Sequence, residues 1–498
     1  MAKTRDLIKE LIRDTVGKRD LPMIRRRYSA AKASRLNSDW SATPTSENYE
    51  LRLSLRALRA RAREQARNNG VFKRFLTKAR SNVIGQGIRL QCAAKFAKGT
   101  PNTKLNSMVE DLFAEWSDRR NCSMSEKISF WDSQRIFVTR LLRDGEVLVQ
   151  KVNGGPWGFA LHFIDADYLD ETYNEINAST GNRIIMSVEV DSWGKPVAYW
   201  LTPPRLDYLF QPVTERRERD RKRVPADQFI HAFLTYDDPE ATRGKTAFHS
   251  ALTAAKDAEG YKIGVISSAR AAAYSFGMLR PPMDDTEQFY GEGTQAPMEV
   301  ALEPLTIQEI PPGYEFVQFD PKQPTQNHAQ FYQSIMQDLA MSLDLHYFSL
   351  SGDLAAVNYS SARVGLLEER DVWKDLQRVV IDQFCREIFG AWLEAQILRG
   401  AISPGDAQAV NRPNWRPRGW QWVDPQKEVK AKIEAIQAGL TTYTATLAEQ
   451  GIDLEEHLQT IKAERELAAE YDVDLLDLGG EKEEATQAPP PPADTEEV

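Results

Sequence analysis

The stretch from Val364 to Ile397 constrains the fold more than any other part of the chain. Val364, Leu367, Val372, Leu376, Val379, Val380, Phe384, Ile388, Trp392 and Ile397 recur at steps dominated by three and four. That spacing predicts one helix of about 35 residues, on the order of 50 Å long, with a continuous apolar side. Gly400 stands where its C-terminal cap is expected. Directly before it lies "SGDLAAVNYSSA" at 351–362, a run of small, hydroxyl and amide residues. A long rigid element thus begins at an adaptable polar mouth.

Upstream, the pattern alternates between helical and β-rich runs. Leu51, Leu55, Leu58 and Ala62 carry a basic helical region from about Glu50 to Arg80, interrupted near Asn68–Gly70. The segments 87–94, 145–152, 159–165, 183–191 and 196–202 read as strands, and "DSWGKP" as a hairpin turn. With helical runs at 105–118 and 131–145 they predict an α+β domain of roughly 200 residues. Residues 244–279 read as a weakly amphipathic helix rich in small residues, 280–323 as a compact Pro-rich module, and 327–344 as a second helix. Two further helices are expected at 425–449 and 452–470. The last stretch, 476–498, is acidic and Pro-rich and is expected to be disordered.

Composition bounds the class. The 498 residues, 42% hydrophobic and 27% charged, suffice for two to four folded units. Neither an apolar run near membrane-span length nor a signal peptide is apparent, so residence in a cytoplasm is expected. Cys92, Cys122 and Cys385 are widely spaced, which favours reduced, buried thiols over disulfides or a zinc site. The net charge of −9 hides a sorting: residues 1–80 carry 21 Lys+Arg against 8 Asp+Glu, and residues 451–498 carry 3 against 15. The basic region suits phosphates, an acidic partner or simply a solvated helix face.

No motif nominates an enzyme. "RGKT", Arg243–Thr246, lacks the first glycine of a phosphate-binding loop, since that position is Pro239. Asp165, Asp167, Asp170 and Glu171 invite a metal or nuclease reading, but a solvated turn is the simpler expectation. His162, His231, His249, His328, His346 and His457 show no zinc spacing. No cofactor or metal site is expected.

Four stretches carry a resemblance: "HYFSLSGDLAAVNYSSARVGLLEE" (346–369), "FIHAFLTYDDPEATRGKTAF" (229–248), "GWQWVDPQKEVKAKIEAIQAGLTTYTATLAEQGIDLEEH" (419–457) and "RARAREQARNNGVFKRFLTKARSNVIGQGIRL" (59–90). In their order and spacing the chain resembles the lambda-type portal proteins of tailed phages, over roughly residues 45–475. The resemblance implies a basic arm (1–44), an α+β wing (45–245), a first stem helix (246–279), a clip (280–323) and a second stem helix (324–349). A tunnel loop with the long helix (350–400), a helical crown with its connections (401–475) and the tail (476–498) would follow. It implies a ring of copies, commonly a dodecamer, at one vertex of the virion capsid, assembled in the host cytoplasm. Double-stranded DNA would pass through its channel, driven by a separate terminase large subunit. Major capsid, scaffold and head–tail connector proteins would be partners, with no membrane. Asp353, Asn358, Tyr359, Ser360, Ser361 and Arg363 would face the channel, with Lys256, Lys262 and Arg270 as stem candidates. Arg363 stays open between a phosphate contact and pairing with Glu368, Glu369 or a neighbouring copy. The 1–44 arm matches no shared element; contact with scaffold or capsid, or trimming, stay open. The rivals are a DNA-binding adaptor using the basic 51–80 region or a head-assembly protein without a channel, and a metal-dependent nuclease using Asp165, Asp167 and Glu171.

Overall fold

The computed structural model describes residues 44–96, 102–202, 221–236, 238–273, 277–280, 315–318, 328–355, 357–420, 425–449 and 454–470. The basic arm up to residue 43, most of the 280–323 module and the 476–498 tail lie outside the described residues. The chain divides into two units, 1–50 and 51–498. Of the first, residues 44–50 are described; they open helix α1 (Glu47–Asn68), where Tyr49 N donates to Ser46 Oγ at 3.4 Å.

Within the second unit, α1 buries Leu51, Leu55, Arg59, Ala62 and Gln65, at steps of four and three. The Asn-Asn-Gly break falls as the sequence predicts. Asn69 caps α2 (Gly70–Ala79) by accepting from Val71 N at 3.0 Å. A π-turn at Arg80–Ile84 and strand β1 (Arg89–Gln91) follow, then α3 (Thr103–Trp116), α4 (Arg119–Cys122) and α5 (Phe130–Asp144). Ser129 and Asp132 form a reciprocal capping box at the start of α5.

Gly145, at φ +89°, turns α5 straight into β2 (Glu146–Val152). A Cβ on Gly145 would stand 2.4 Å from the Lys245 carbonyl carbon, and one on Gly244 would stand 2.1 Å from Gly145 O. Two glycines let the backbone cross itself here, which accounts for the glycine of "RGKT" without any phosphate. β3 (Ala160–Ile164) pairs with β2, and β4 (Glu175–Ile176), β5 (Arg183–Ile185), β6 (Val188–Val190), β7 (Pro196–Leu201) and β8 (Lys222–Pro225) form an antiparallel sheet in that order. The segment 183–191, predicted as one strand, is instead a hairpin turning at Met186 and Ser187, both at positive φ (46° and 70°). A turn made by two non-glycine residues leaves no compositional signal. β9 (Phe229–Phe233) completes the three-stranded sheet β3-β2-β9, with Leu148 opposite Ile164 and His231.

α6 spans Leu252–Ala273, shorter at both ends than predicted. Residues 277–280, expected to be helical, form β10 (Gly277–Arg280), paired with β11 (Glu315–Gln318). α7 (His328–Met341) packs on α6, with Tyr261 OH 3.0 Å from His328 Nδ1. α8 (Tyr347–Ser351) leads to the long helix, which is α9 (Tyr359–Val380), a π-turn at Ile381–Cys385 and α10 (Arg386–Leu398) without interruption. The π-turn has a sequence cause. From Val372 to Trp392 the stripe advances in five steps of four. Each step overshoots a 3.6-residue turn by about 40°, and one wider turn takes back on the order of 100°. Phe384, Ile388 and Trp392 therefore still face the core at 0% exposure. There Trp392 meets Phe113 and Phe389, Phe384 stacks on Phe130, and Trp116 lies against Phe130 in turn, each buried ring contributing about 1.5–3 kcal/mol. Gly400, at φ +74°, ends the helix as expected. α11 (Pro404–Val410) and β12 (Asn414–Arg416), which pairs with β1, precede α12 (Pro425–Gln437), α13 (Tyr443–Ala448) and α14 (Leu454–Glu470). All three cysteines are buried free thiols.

Candidate functional site

The polar mouth of the long helix is built as a surface loop on a charged footing. α8 ends at Gly352, φ +79°, and residues 352–355 are exposed. Asp353 spends its carboxylate on the loop itself: Oδ1 accepts from Ala355 N at 3.0 Å and Oδ2 from Tyr347 OH at 3.3 Å. Asn358 is the N-cap of α9, its Oδ1 accepting from Ser361 N at 2.8 Å. Tyr359 begins the helix, and Ser360 and Ser361 are exposed on its first turn. Arg363 is half-buried and is not a free cation. Neither glutamate named for it is idle. Glu368 pairs with His346 Nε2 at 3.2 Å, while buried Glu369 accepts from His346 N at 3.0 Å and Ser349 Oγ at 2.8 Å.

Behind the loop stands an anchor that the sequence does not announce. Lys78 Nζ donates to Ser349 Oγ at 2.7 Å, and Arg74 Nε donates to Ser349 O at 3.2 Å. Ser349 thus bridges a cation on α2 to the Glu369 carboxylate on α9. Burial holds the Lys78 ammonium below its ordinary pKa, although Glu369 opposes the shift. Farther along α9, buried Gln377 donates to the carbonyls of Asn82, Val83 and Arg418 at 3.0–3.3 Å, fastening the π-turn that follows α2.

The stem candidates do not share one face. Lys256, Lys262 and Arg270 are all exposed on α6, and Lys256 pairs with Glu259 at 3.1 Å. At about 100° per residue, Lys256 and Arg270 lie within about 40° of each other, whereas Lys262 lies about 120° from Lys256 and about 80° from Arg270.

The Asp165 and Asp167 carboxylates of the acidic cluster are paired with guanidiniums, not left to water. Asp167 accepts from Arg59 at 2.7 Å and from Arg63 at 2.8 Å, and Asp165 accepts from Arg63 at 2.8 Å. Glu171 is buried and has a partner of its own. Among the described residues no three His, Cys, Asp or Glu side chains are placed to hold a metal ion. The same guanidiniums lead inward to Glu146, which has no solvent exposure. Arg243 Nε donates to it at 2.7 Å, Arg59 donates to its other oxygen, and His231 Nε2 lies 2.9 Å away. Arg243 also donates to Met186 O at 2.9 Å. Burial alone would push the Glu146 carboxyl up, but Arg243 and Arg59 outweigh it and hold it well below the usual carboxylate range. Burial pushes the His231 pKa down. "RGKT" is therefore a joint: Arg243 fills the network, Gly244 permits the backbone crossing, and Thr246 Oγ1 donates to Leu142 O at 3.1 Å. In the same way Arg59, Arg63, Arg74 and Lys78 of the basic region are engaged internally, which removes much of the surface a nucleic-acid arm would offer.

The comparisons agree with the resemblance. The family model described as phage portal protein, lambda family, matches residues 33–377, so the distinctive 419–457 stretch lies beyond its span. A probable portal protein of Halomonas phage phiHAP-1 is 32% identical over 444 residues, covering 86% of this chain and 83% of the relative. Portal protein B of Escherichia phage lambda is 22% identical over 463 residues, covering 84% of this chain and 85% of that one. Among solved structures, a chain from the neck of a native gene transfer agent particle matches 82% of this chain and 95% of its own length, at 13% identity and a TM-score of 0.43. The family model over residues 33–377 and the 32% identical relative settle the family: the chain belongs to the lambda family of phage portal proteins.

Proposed function

We propose that this portal protein assembles as a ring at one vertex of the phage head, and that its bore carries double-stranded DNA in during packaging and out during ejection. In this reading residues 45–245 form the wing, 246–279 and 324–349 the stem, 280–323 the clip, 350–400 the tunnel loop with its helix, and 401–475 the crown. The ring is non-enzymatic. A separate terminase large subunit docks on it to drive packaging, head–tail connectors take its place afterwards, and capsid and scaffold proteins hold its rim.

The observation that carries this reading is the polar mouth of α9, with Asn358, Ser360 and Ser361 exposed, on its anchor. An exposed run of small hydroxyl and amide groups can exchange weak, sequence-blind hydrogen bonds with phosphate and water, touching DNA without retaining it. The Lys78–Ser349–Glu369 bridge ties that run to the body through α2 and α9. Arg363 and the α6 cations take a secondary part, since Lys256 is paired and Lys262 lies off the face that Lys256 and Arg270 share. Ring closure requires two different faces per subunit that complement each other. Ile263 and Ile266 on α6, Phe331 and Met341 on α7, and Val364 and Leu367 on α9 are exposed apolar side chains suited to that burial.

Negative-stain microscopy with native mass spectrometry of the purified protein tests the ring. Closed rings with a hole wide enough for duplex DNA are expected; a monomer or dimer at every concentration and salt would remove the channel reading. If rings form, Tyr359→Ala and a Ser360→Asp/Ser361→Asp pair should lower packaged DNA while leaving assembly intact.

A further inference from the structure

A groove of about 690 Å³ runs along α5, and its charged lining is Arg80, Lys127, Asp132, Arg135, Arg140 and Arg143. Five cations face one carboxylate, and that carboxylate is committed elsewhere: Asp132 Oδ2 accepts from Ser129 N at 3.1 Å and Ser129 Oγ at 2.8 Å in the capping box. Arg143 pairs with Asp144 at 2.8 Å. Arg140 has the carboxylates of Asp165 and Asp144 near it, whereas Arg80, Arg135 and Lys127 have neutral partners or none among the described residues. Arg80 donates to Thr77 Oγ1 at 3.1 Å, and Arg140 donates to Ile164 O at 2.7 Å. The Arg135 guanidinium lies 4.6 Å from the Trp131 ring centroid, and Lys127 is exposed. Burial, and then the neighbouring Arg135 charge, lower the pKa of Arg80, as expected where like charges are held together. Such a row attracts an anion with several carboxylates or phosphates, because guanidinium–carboxylate pairs are charge-assisted hydrogen bonds.

We propose that this groove receives the acidic C-terminal segment of this protein, residues 471–498. That segment carries nine Asp+Glu and a single lysine, Lys482, an excess of eight negative charges in 28 residues. Fully extended, its 28 residues span up to about 95 Å from Glu470. A tethered anion is also present at an effective concentration on the order of millimolar, which favours it over a free competitor. Docking there gives the cation row of the body a partner and gives the charge sorting along the chain a structural use. It is independent of where DNA passes.

Zero-length carbodiimide cross-linking of the full-length protein at low salt, read by mass spectrometry, tests this. Lys127 Nζ should be the dominant lysine joined to Asp or Glu of 471–498. An Arg80→Glu/Arg135→Glu pair should lower that yield about tenfold, and 0.5 M salt should lower it as well. If the pair fails to fold, Arg135→Gln alone, which leaves the α5 cap in place, should lower it a few-fold. The proposal falls if tail carboxylates couple to Lys127 no more than to exposed Lys73 and Lys104, or if the substitutions leave the yield unchanged. It also falls if Lys127 is shielded from acetylation only when a short DNA duplex is added, since the groove then belongs to nucleic acid.

Discussion

Glu146→Gln keeps the shape of the buried side chain and removes the one charge that Arg243 and Arg59 share. The Arg243 side chain has no exposure and Arg59 only 2%, so neither can turn to water. Partial compensation remains, because Arg59 keeps Asp167 at 2.7 Å and Arg243 keeps the carbonyl of Met186. Breaking a buried pair by removing one partner costs about 3–5 kcal/mol. For a cooperative unit of about 150–250 residues, 1 kcal/mol moves the melting midpoint by about 2–4 °C, so a fall of about 6–20 °C is expected. Scanning calorimetry of Glu146→Gln beside Arg223→Gln is the assay. The second variant disturbs Glu189, whose partner Arg223 is 37% exposed, so it should cost no more than about 1 kcal/mol. Should Glu146→Gln melt within about 2 °C of the wild type, the ionic joint would be ornamental to stability and the reasoning wrong.

Gly244→Ala places a Cβ 2.1 Å from Gly145 O and 2.5 Å from Phe233 Cβ; little or no soluble, correctly assembled protein is expected on gel filtration. Ser349→Ala removes the bridge between Lys78 and Glu369, at about 1.5–3 kcal/mol for hydrogen bonds to charged groups, and should speed amide exchange over residues 349–358; unchanged exchange there would show that the loop has another footing. Acid should destabilise in two stages. The folded His231 pKa lies below its ordinary 6.5 because of burial, and Arg223 hydrogen bonds help lower that of Glu189 from 4.5 to about 2. In both cases the unfolded chain takes up the proton first, so the urea midpoint should fall as pH drops below about 6.5 and again from about 4.5 towards 2. A midpoint that rises on acidification through that range would contradict both assignments.

Much of the fold was legible because its signals are periodic. The stripe of the long helix, the Asn68–Gly70 break, the strand β2 and the Gly400 cap each rest on spacing or on a residue with special backbone freedom. What escaped was set by contacts distant in sequence. The hairpin at Met186–Ser187 has no turn residue, and the strands β8, β10 and β12 are three or four residues long, too short to show a period. The Asp165–Asp167 cluster looked solvated because its guanidiniums lie about a hundred residues earlier in the chain. Of the channel-facing candidates, the chemistry of Asn358 and Asp353 was visible but not its use, which is to cap a helix and shape a loop. Ser349 and Lys78 gave no signal at all, since a serine beside a lysine in space is two ordinary residues in sequence.

The two buried carboxylates account for four cations of the basic region. Arg59 and Arg63 on α1 serve the network around Glu146, and Arg74 and Lys78 on α2 serve the footing around Glu369. One helix–break–helix unit therefore ties together the joint that leads into α6 and the loop that leads into α9, the two elements expected to meet DNA. Four of the ten Lys and Arg residues between positions 51 and 80 are committed in this way. Cations held against buried carboxylates are unavailable to phosphate, so the basic character of the sequence does not carry over in full to the surface. The proposed conduit would benefit from that arrangement, because affinity for DNA grows with every phosphate neutralised and each such contact would have to be broken for the next base pair to pass. Arg59, Arg63, Arg74 and Lys78 are thus held in the frame, while Asn358, Ser360 and Ser361 at the mouth of the long helix are neutral and exposed.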